Sequence, residues 1–461
     1  MDDAGAKQYW TSWEERAAGT PPTDEFPGPV EGAVGQFSRR GFFAAAGLGV
    51  ASALSSCARA PADKAVPLLD QPETIVPGQA AWYASTCGGC SAGCGILAKC
   101  RDGRPIKLEG NPDHPVSRGG LCAVGQAAVL DLYDSSRIPG PLLNGKPASW
   151  PDVDRFVTTQ LAAIRKDAGA VRFLSGTLAS PTVRAVLQRF LAPFRSAKHV
   201  TYDALSSSAI LDAHETTHGL RRLPRYRFER AAVIVGFDAD FLGTWISPPE
   251  FTAGYRAGRR LDATPPRFSL HVQFESRLSL TGSKADRRLR VGPHEHGLLL
   301  SHLAVRLARR AQTPFRAPGA EEPSIPAAVL DDLADRLWAA RGRSLVVCGV
   351  QDVATQTLVN FINDVLGNYG ATLDLRRPSW QRQGSDRDLE GLLDELAAGR
   401  VAALFLTGVN PVCELPAGRE IAAAIERVPL VVSFAERLDE TAALARAVCP
   451  DHHFLESWSD A

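Results

Sequence analysis

Short apolar runs alternate with helical patterns along the chain from about residue 150 onward. The runs are β-branched or apolar and often end in Gly or Asp, which is typical of strands. We predict strands in VRFLSG, HVTYDA, AAVIVGFD, FSLHVQFE, SLVVCGV, VAALFLTG and PLVVSFA. Residues 297–311, 328–340 and 386–400 have the spacing of amphipathic helices. Apolar strands that alternate with helices predict mainly parallel sheets covered on both faces.

The composition of the chain allows two or three domains and does not favour a strongly charged binding partner. The chain has 461 residues, 45% of them hydrophobic, which is enough for several buried cores. Its 51 basic residues balance 51 acidic ones, so net charge gives no argument for nucleic acid or anionic lipid. Nine cysteines are too few for a disulfide scaffold of this length.

The N-terminal part resembles an export signal. Residues 38–43 read Ser-Arg-Arg-Gly-Phe-Phe and precede the apolar run AAAGLGVASALSS. Paired arginines before a short apolar stretch are typical of a twin-arginine (Tat) signal, which exports folded proteins. The apolar stretch is shorter than the roughly 20 residues that a membrane-spanning helix needs. The polar segment before the arginines, which includes YWTSWEE, predicts a binding partner on the cytoplasmic side.

The apolar run closes on Leu54-Ser55-Ser56-Cys57, which has the form of a lipoprotein processing box. In that interpretation Cys57 becomes the acylated first residue of the mature chain. An uncleaved anchor helix with a chance cysteine is the alternative. Both interpretations predict a Tat-exported protein in the periplasm or on the extracytoplasmic face of the inner membrane.

Four cysteines form one spaced group. Cys87, Cys90 and Cys94 lie in the glycine-rich loop STCGGCSAGC, and Cys122 follows 27 intervening residues later. Three thiolates from one tight loop and a fourth from a returning segment suit a four-iron cluster, and glycines let backbone N–H groups approach the sulfurs. Structural zinc and two disulfides remain alternatives, although zinc ribbons usually have two matched spacings. We predict a [4Fe-4S] cluster with these four cysteines as its metal ligands.

The remaining candidates have structural explanations. Cys100 lies in the strand-like GILAKC and is expected to pack. The same holds for Cys348, Cys413 and Cys449, because free cysteine is commonly a small buried hydrophobe. His214 and His218 are an i,i+4 pair, and we expect packed or solvated side chains there rather than a metal site.

Residues 86–127, TCGGCSAGCGILAKCRDGRPIKLEGNPDHPVSRGGLCAVGQA, resemble the cluster-binding first domain of the bis-pterin molybdenum and tungsten oxidoreductases, the molybdopterin oxidoreductase superfamily. Within this superfamily, three features make the resemblance more specific: the long leader, the CSAGCGI loop and the segment GQAAVLDLYDSSRIPGP. They resemble the N-terminal part of the Tat-variant-translocated iron–sulfur subunit of alternative complex III. Weaker likeness extends over residues 82–461, with LFLTGVNPV as its strongest later motif.

The resemblance implies an α/β fold with a small β-rich iron–sulfur domain and two Rossmann-like α/β domains with mainly parallel sheets. We assign 1–60 to the leader, 82–140 to the iron–sulfur domain, 141–340 to the first α/β domain and 341–461 to the second. The chain ends where the superfamily would enter its C-terminal barrel domain, so we expect a fragment or a split-gene product.

Several positions depart from the superfamily pattern. Val124 stands where a Lys or Arg usually lies between cluster and pterin. No cysteine occupies the metal-ligand region, where a serine run at 206–208 is expected to cap a helix although it could supply an alkoxide ligand. Asp238 and Asp240 replace residues near the pterin nucleotide, where carboxylates would repel phosphate or, alternatively, bind a ribose hydroxyl.

These observations predict an exported, membrane-associated electron-transfer or scaffold subunit of a quinol-oxidising respiratory complex, without molybdopterin guanine dinucleotide. Its expected partners are a ferredoxin-like iron–sulfur chain, an integral membrane quinol-binding subunit and a c-type cytochrome. The alternative is a catalytic molybdopterin-dependent oxidoreductase subunit that acts on a small periplasmic substrate. A purely structural module with zinc or disulfides at the four cysteines is a third class.

Overall fold

A computed structural model describes residues 76–315, 321–458 and 460. By its internal contacts the chain divides into two units, Met1–Pro72 and Glu73–Ala461, and every described residue belongs to the second. The predicted Tat leader and its Cys57 lie outside the described residues.

The described segments alternate between strands and helices. In chain order the strands are β1 (Ala80–Thr86), β2 (Gly95–Arg101), β3 (Arg104–Gly110), β4 (Leu142–Leu143), β5 (Lys146–Pro147), β6 (Ala170–Ser175), β7 (Ala197–Thr201), β8 (Leu223–Tyr226), β9 (Val233–Phe237), β10 (Leu270–Glu275), β11 (Arg287–Arg290), β12 (Ser344–Cys348), β13 (Leu373–Ser379), β14 (Val401–Thr407), β15 (Leu430–Ser433) and β16 (Ala447–Val448). The helices are α1 (Ala123–Ala127), α2 (Trp150–Lys166), α3 (Pro181–Leu191), α4 (Ser208–His218), α5 (Pro248–Ala257), α6 (Leu280–Ser283), α7 (His296–Ala311), α8 (Ala327–Ala339), α9 (Val353–Val365), α10 (Asp386–Ala397), α11 (Pro411–Glu414) and α12 (Gly418–Glu426).

Two larger sheets and a small antiparallel one organise these elements. The small sheet has the order β1-β2-β3 and is followed by α1. The largest has the order β5-β4-β16-β15-β14-β6-β7, parallel from β16 to β7 with antiparallel β4 and β5 at one edge. A third sheet, β11-β10-β9-β12, is entirely parallel, and β8 pairs with β13 as an antiparallel ribbon.

Helices cover both faces of the seven-stranded sheet, as its apolar strands predicted. In β14, Leu404 and Leu406 face one core with helices α10 and α12, whereas Ala403 and Phe405 face the opposite core with α2 and α3. This alternation is the two-residue period of a strand with both faces buried.

The four-stranded sheet is covered in the same way. Phe237 and Phe274 stack in its core at 4.8 Å between ring centroids, under helices α7, α8 and α9. Ile234 and Leu345 point to the other face, against residues of α4 and α5. Among the described residues, no helix is both long and apolar enough to cross a membrane.

All seven predicted strands and the three predicted helices are confirmed, with ends within a few residues. The mixed α/β class is also confirmed. Strand pairing crosses the boundary predicted at residue 340, because β6 and β7 pair within the sheet of β14, and β12 pairs with β9. The domain boundaries themselves stay a prediction.

Candidate functional site

The loop from Cys87 to Cys94 connects β1 and β2, whose register pairs Thr86 with Gly95. The Cys87 N–H donates to the Cys94 carbonyl at 2.8 Å and closes the base of the loop. At its tip the Gly93 N–H donates to the Cys90 carbonyl at 3.4 Å, and Gly93 has a φ of +56°. Glycine adopts this left-handed conformation without strain, so the turn between the second and third cysteines depends on it.

The fourth cysteine returns to the loop through a folded excursion. After β3, the Asn111 N–H donates to the Gly95 carbonyl at 2.9 Å, and the Gly119 N–H donates to the Asn111 carbonyl at 2.9 Å. The segment then reaches α1, where Cys122 is the N-cap and its Sγ accepts from the Gly125 N–H at 3.4 Å. These backbone contacts place Cys122 beside the three-cysteine loop.

The four thiols are near enough to influence one another electrostatically. Burial raises the pKa of Cys94 to about 12, with smaller contributions from Cys90, Cys87, Cys122 and Glu250. Burial also raises the pKa of Cys87, a hydrogen bond from the Gly89 backbone opposes this, and Cys90 and Cys122 raise it further. Neighbouring thiolates disfavour one another unless metal cations compensate their charge.

The burial of the four cysteines suits an iron–sulfur group, whereas their side chains are not arranged around a metal position. Cys87 and Cys94 are buried in an apolar cluster with Ile96 and Leu108, whereas Cys90 and Cys122 are exposed. Clusters are tuned by such burial and by N–H groups directed at sulfur. Within the described ranges, no group of three or more His, Cys, Asp and Glu side chains is arranged to hold a metal ion.

The disulfide alternative does not appear in the structure. The described cysteines are all free, including the four candidates. Cys348 is buried and Cys100 is partly buried in β2, in agreement with the packing roles expected for them. Cys413 is exposed, so the expectation that it packs is wrong.

A crevice of about 1410 Å³ adjoins the cysteine loop. Its walls include Cys87 and Cys90 on one side and, on the other, Gly176 after β6 and Gly408 after β14. The chain leaves β6 toward β7 at one sheet edge and later returns to β14 on the other side of β6. This reversal is a topological switch point, the place where open parallel sheets bind ligands.

Carboxylates are prominent in the crevice. Asp203, after β7, accepts from the Thr177 hydroxyl at 2.9 Å and from the Gly384 N–H at 3.1 Å. The Tyr202 hydroxyl donates to Glu414, and burial followed by this hydrogen bond raises the pKa of Tyr202. The crevice therefore brings carboxylates and the cysteine loop into one lining.

Sequence reasoning missed the loop between β13 and α10, residues 380–385, which contacts the cysteine loop directly. The Ser91 hydroxyl donates to the Gln381 carbonyl at 2.5 Å, and Gln381 Nε2 donates to the Ala92 carbonyl at 3.1 Å. About 290 residues separate the partners, and the letters WQRQGS carry no recognisable motif. No sequence signal could have revealed this contact.

The serine run has structural partners. Ser206 donates to Asp386, with 2.8 Å to Oδ2, and accepts from the Ser208 N–H at 3.0 Å at the start of α4. Ser208 is buried and its hydroxyl donates to Asp212 at 3.1 Å. Ser207 is the N-cap but makes no side-chain capping bond, so Ser206 performs the capping that was predicted for the run.

The carboxylates of the second sheet differ in their surroundings. Asp238 is exposed after β9 with a φ of +51°. Asp240 Oδ1 accepts from both the N–H and the hydroxyl of Thr281, at 3.1 and 2.8 Å. Asp240 therefore joins its loop to α6.

Val124 is 67% exposed beside Cys122.

The histidine pair packs as expected. His214 is buried, its Nδ1 lies 2.7 Å from the Ile210 carbonyl, and its Nε2 lies 3.1 Å from the Tyr369 hydroxyl. The His218 ring contacts the same tyrosine at an interplanar angle of 50°, with 4.4 Å between ring centroids. These contacts belong to the interior between α4 and the segment after α9.

Residues 80–134 match the molybdopterin oxidoreductase Fe4S4 domain family. The chain is 25% identical over 409 residues to the molybdopterin-binding-like subunit of menaquinone reductase from Nitratidesulfovibrio vulgaris, which covers 80% of this chain and 58% of that protein. These matches support a place for the chain in the molybdopterin oxidoreductase superfamily. The Fe4S4 match supports a [4Fe-4S] cluster in its first domain.

Two further comparisons show a local sequence similarity and a shared fold. A nitrate reductase from Symbiobacterium thermophilum is 33% identical over 124 residues, 25% of this chain and 15% of that protein. Acetylene hydratase from Pelobacter acetylenicus shares the fold with a TM-score of 0.61 at 14% identity, over 81% of this chain and 63% of that chain. The chain spans about three-fifths of the length of the N. vulgaris subunit and of acetylene hydratase.

Proposed function

We propose that this protein is an exported, membrane-associated electron-transfer or scaffold subunit of a quinone-linked respiratory complex of the alternative complex III type. In this proposal Cys87, Cys90, Cys94 and Cys122 hold one [4Fe-4S] cluster. The bound cluster would accept and release one electron at a time. The chain itself supplies the thiolates, their burial and the N–H groups near sulfur.

The match of residues 80–134 to the Fe4S4 domain, which includes all four cysteines, carries the proposal. These cysteines come from two segments, yet the pKa of Cys94 is raised by all three other cysteines. Exposure of Cys90 and Cys122 beside buried Cys87 and Cys94 brings one side of the site near the surface. A site with one side near the surface suits exchange of electrons with another protein.

The N. vulgaris relative supports the respiratory role, since its name describes a menaquinone reductase subunit. The name also calls that subunit molybdopterin-binding-like, which is consistent with our proposal that the present chain has the molybdopterin oxidoreductase fold but lacks molybdopterin. We expect quinol oxidation here, with the membrane quinol-binding subunit, a ferredoxin-like iron–sulfur chain and a c-type cytochrome as partners.

Several side chains support the proposed lack of molybdopterin. A pyrophosphate needs N–H groups and basic side chains, whereas Asp203 and Glu414 lie at the crevice beside the sheet. Arg382, a crevice cation, already donates to Ser91. Val124 offers no hydrogen bond where relatives usually place a basic residue.

The location proposed for the chain rests on its leader. Twin arginines at 39–40 and the box ending at Cys57 predict Tat export and a lipid anchor at the extracytoplasmic face of the inner membrane. Cell fractionation of a Cys57→Ala variant tests the anchor. We expect the variant to leave the membrane fraction once its partner subunits are deleted, whereas an unchanged distribution would contradict lipidation.

One observation favours the catalytic alternative. The crevice of about 1410 Å³ beside the cysteine loop has room for a cofactor and a small substrate. A molybdenum oxidoreductase would use this space with Ser206, Ser207 or Ser208 as the metal ligand, although none of the three serines lines the crevice. The existing partners of Ser206 and Ser208 make this alternative second to the electron-transfer role.

Elemental analysis of anaerobically purified full-length protein separates these functions. We expect about four irons per chain without molybdenum or tungsten. One molybdenum or tungsten per chain would establish the catalytic alternative instead. Zinc, or no metal, would leave the cysteines a structural role and overturn the electron-transfer proposal.

A further inference from the structure

The β13–α10 loop (residues 380–385) contacts the cysteine loop at two residues that lie between the candidate metal ligands Cys90 and Cys94. Ser91 and Ala92 lie between Cys90 and Cys94, and both contact Gln381. Arg382 also donates to the Ser91 hydroxyl. The turn between the second and third cysteines is therefore held from outside the iron–sulfur domain.

The side-chain amide of Gln381 has a fully determined orientation. Its Nε2 donates to the Ala92 carbonyl and to the Ser247 hydroxyl, both at 3.1 Å, which uses both of its hydrogens. Its Oε1 accepts from the Ser379 hydroxyl at 3.1 Å. Ser247 is buried at the start of α5, so the amide joins the cysteine loop to the body that carries the four-stranded sheet.

Holding the Ala92 carbonyl also fixes the next N–H group. In a trans peptide the carbonyl and the following N–H point in opposite directions. The Gly93 N–H consequently faces the Cys90 carbonyl, at 3.4 Å, within the left-handed turn. Rotation of this peptide would change the separation of Cys90 and Cys94.

We propose that Gln381 is a positioning residue for the iron–sulfur site, which it orients through the Ala92–Gly93 peptide. This inference rests on the proposed four-iron cluster. Residues that orient metal ligands tune the metal's properties, and their loss commonly weakens metal binding about 10–100-fold. Gln381 therefore contributes to both the retention and the redox potential of the cluster.

The test compares Gln381→Leu with Gln383→Leu in the full-length protein. Gln383 belongs to the same loop, and its Nε2 donates to the Trp380 carbonyl within that loop at 2.9 Å, away from the cysteines. Both substitutions remove a neutral amide without adding charge. The readouts are the electron paramagnetic resonance spectrum of the reduced cluster, its midpoint potential, and the rate of iron loss in air.

We expect Gln381→Leu to shift the midpoint potential, broaden the spectrum and release iron about tenfold faster. Gln383→Leu should match the wild type. Unchanged spectrum and potential in Gln381→Leu would overturn the inference, and so would equal changes in both variants.

A milder variant covers the case in which Gln381→Leu does not fold. Ser247→Ala removes one partner of the amide, and Ser247 makes no side-chain capping bond of its own. We expect a smaller shift in the same direction, and no shift would count against the inference. If the wild-type protein lacks a four-iron signal, the proposed function fails. A normal wild-type cluster with an insensitive Gln381 overturns this inference alone.

Discussion

Arg172 on β6 and Glu395 on α10 form an ion pair with two hydrogen bonds, Nε to Oε2 at 2.6 Å and Nη2 to Oε1 at 3.0 Å. The Arg172 side chain is 9% exposed and that of Glu395 is 29% exposed. The guanidinium also donates to the carbonyls of Val171 and Ser196, at 2.9 and 2.8 Å. This pair joins α10 to the seven-stranded sheet.

Glu395→Gln should destabilise the protein, because it leaves the buried Arg172 charge without its carboxylate. We expect the free energy of unfolding at neutral pH to fall by about 1–3 kcal/mol, measured by urea denaturation. The exposed Glu390 lies on the same helix, and Glu390→Gln is the matched control. Equal effects of the two substitutions would show that the ion pair contributes nothing specific.

The same pair predicts a pH dependence. Hydrogen bonding from Arg172 lowers the pKa of Glu395 in the folded protein. A carboxyl group whose pKa is lower in the folded than in the unfolded protein stabilises the fold at pH values above its unfolded pKa. This contribution is lost as the pH falls through the pKa of the folded protein. The stability difference between wild type and Glu395→Gln should therefore shrink as the pH falls below the ordinary range of a glutamate. A difference that stays constant into acid would contradict this.

Cys94→Ser should remove the proposed cluster, since it replaces a buried thiolate ligand with a poor one. We expect iron to fall from about four per chain to a small fraction of that value, with the circular dichroism spectrum preserved. Cys413→Ser changes an exposed thiol outside the group and should retain its iron. Full iron in Cys94→Ser would exclude this cysteine as a ligand.

Gly110→Ala should disturb the segment that returns to Cys122. A Cβ on Gly110 would stand 2.2 Å from the Gly119 carbonyl oxygen, a backbone atom that cannot move aside easily. We expect a loss of about 1–3 kcal/mol in stability, together with faster iron release. Gly140→Ala is the control because its Cβ would meet no atom within 4 Å. Normal behaviour of Gly110→Ala in both assays would show that this contact is not restrictive.

Substitution by alanine should change the stability of the protein in opposite directions at Gly391, inside α10, and at Gly399, just after its C-terminal end. Gly391 lies inside the helix with open space at its Cβ position, so Gly391→Ala should stabilise by about 0.5–1 kcal/mol. Gly399 has a φ of +65°, where alanine is strained, so Gly399→Ala should destabilise by about 1 kcal/mol. Thermal denaturation measures both, and a shared sign would contradict the backbone explanation.

The sequence by itself determined the local elements and the chemical type of the candidate site. Apolar runs such as VAALFLTG form strands because both of their faces are buried, and the pattern of apolar residues is local information. The spacing of Cys87, Cys90 and Cys94 likewise predicted a loop for a metal cluster, and the Fe4S4 domain match over residues 80–134 agrees with a cluster in this segment. These features depend on residues within about ten positions of one another, which a single sequence displays.

Tertiary structure alone decided which distant segments meet. The pairing of β6 with β14 creates the crevice, yet their registers depend on packing between segments more than 200 residues apart. The contact of Gln381 with Ala92 arises in the same way, because hydrogen-bond partners of a loop glutamine leave no periodic pattern. Exposure of Cys413 and the capping role of Ser206 also depend on neighbours supplied by the fold. Long-range contacts are set by the sum of many packing interactions, whereas strands and cysteine spacing are set by their own few residues.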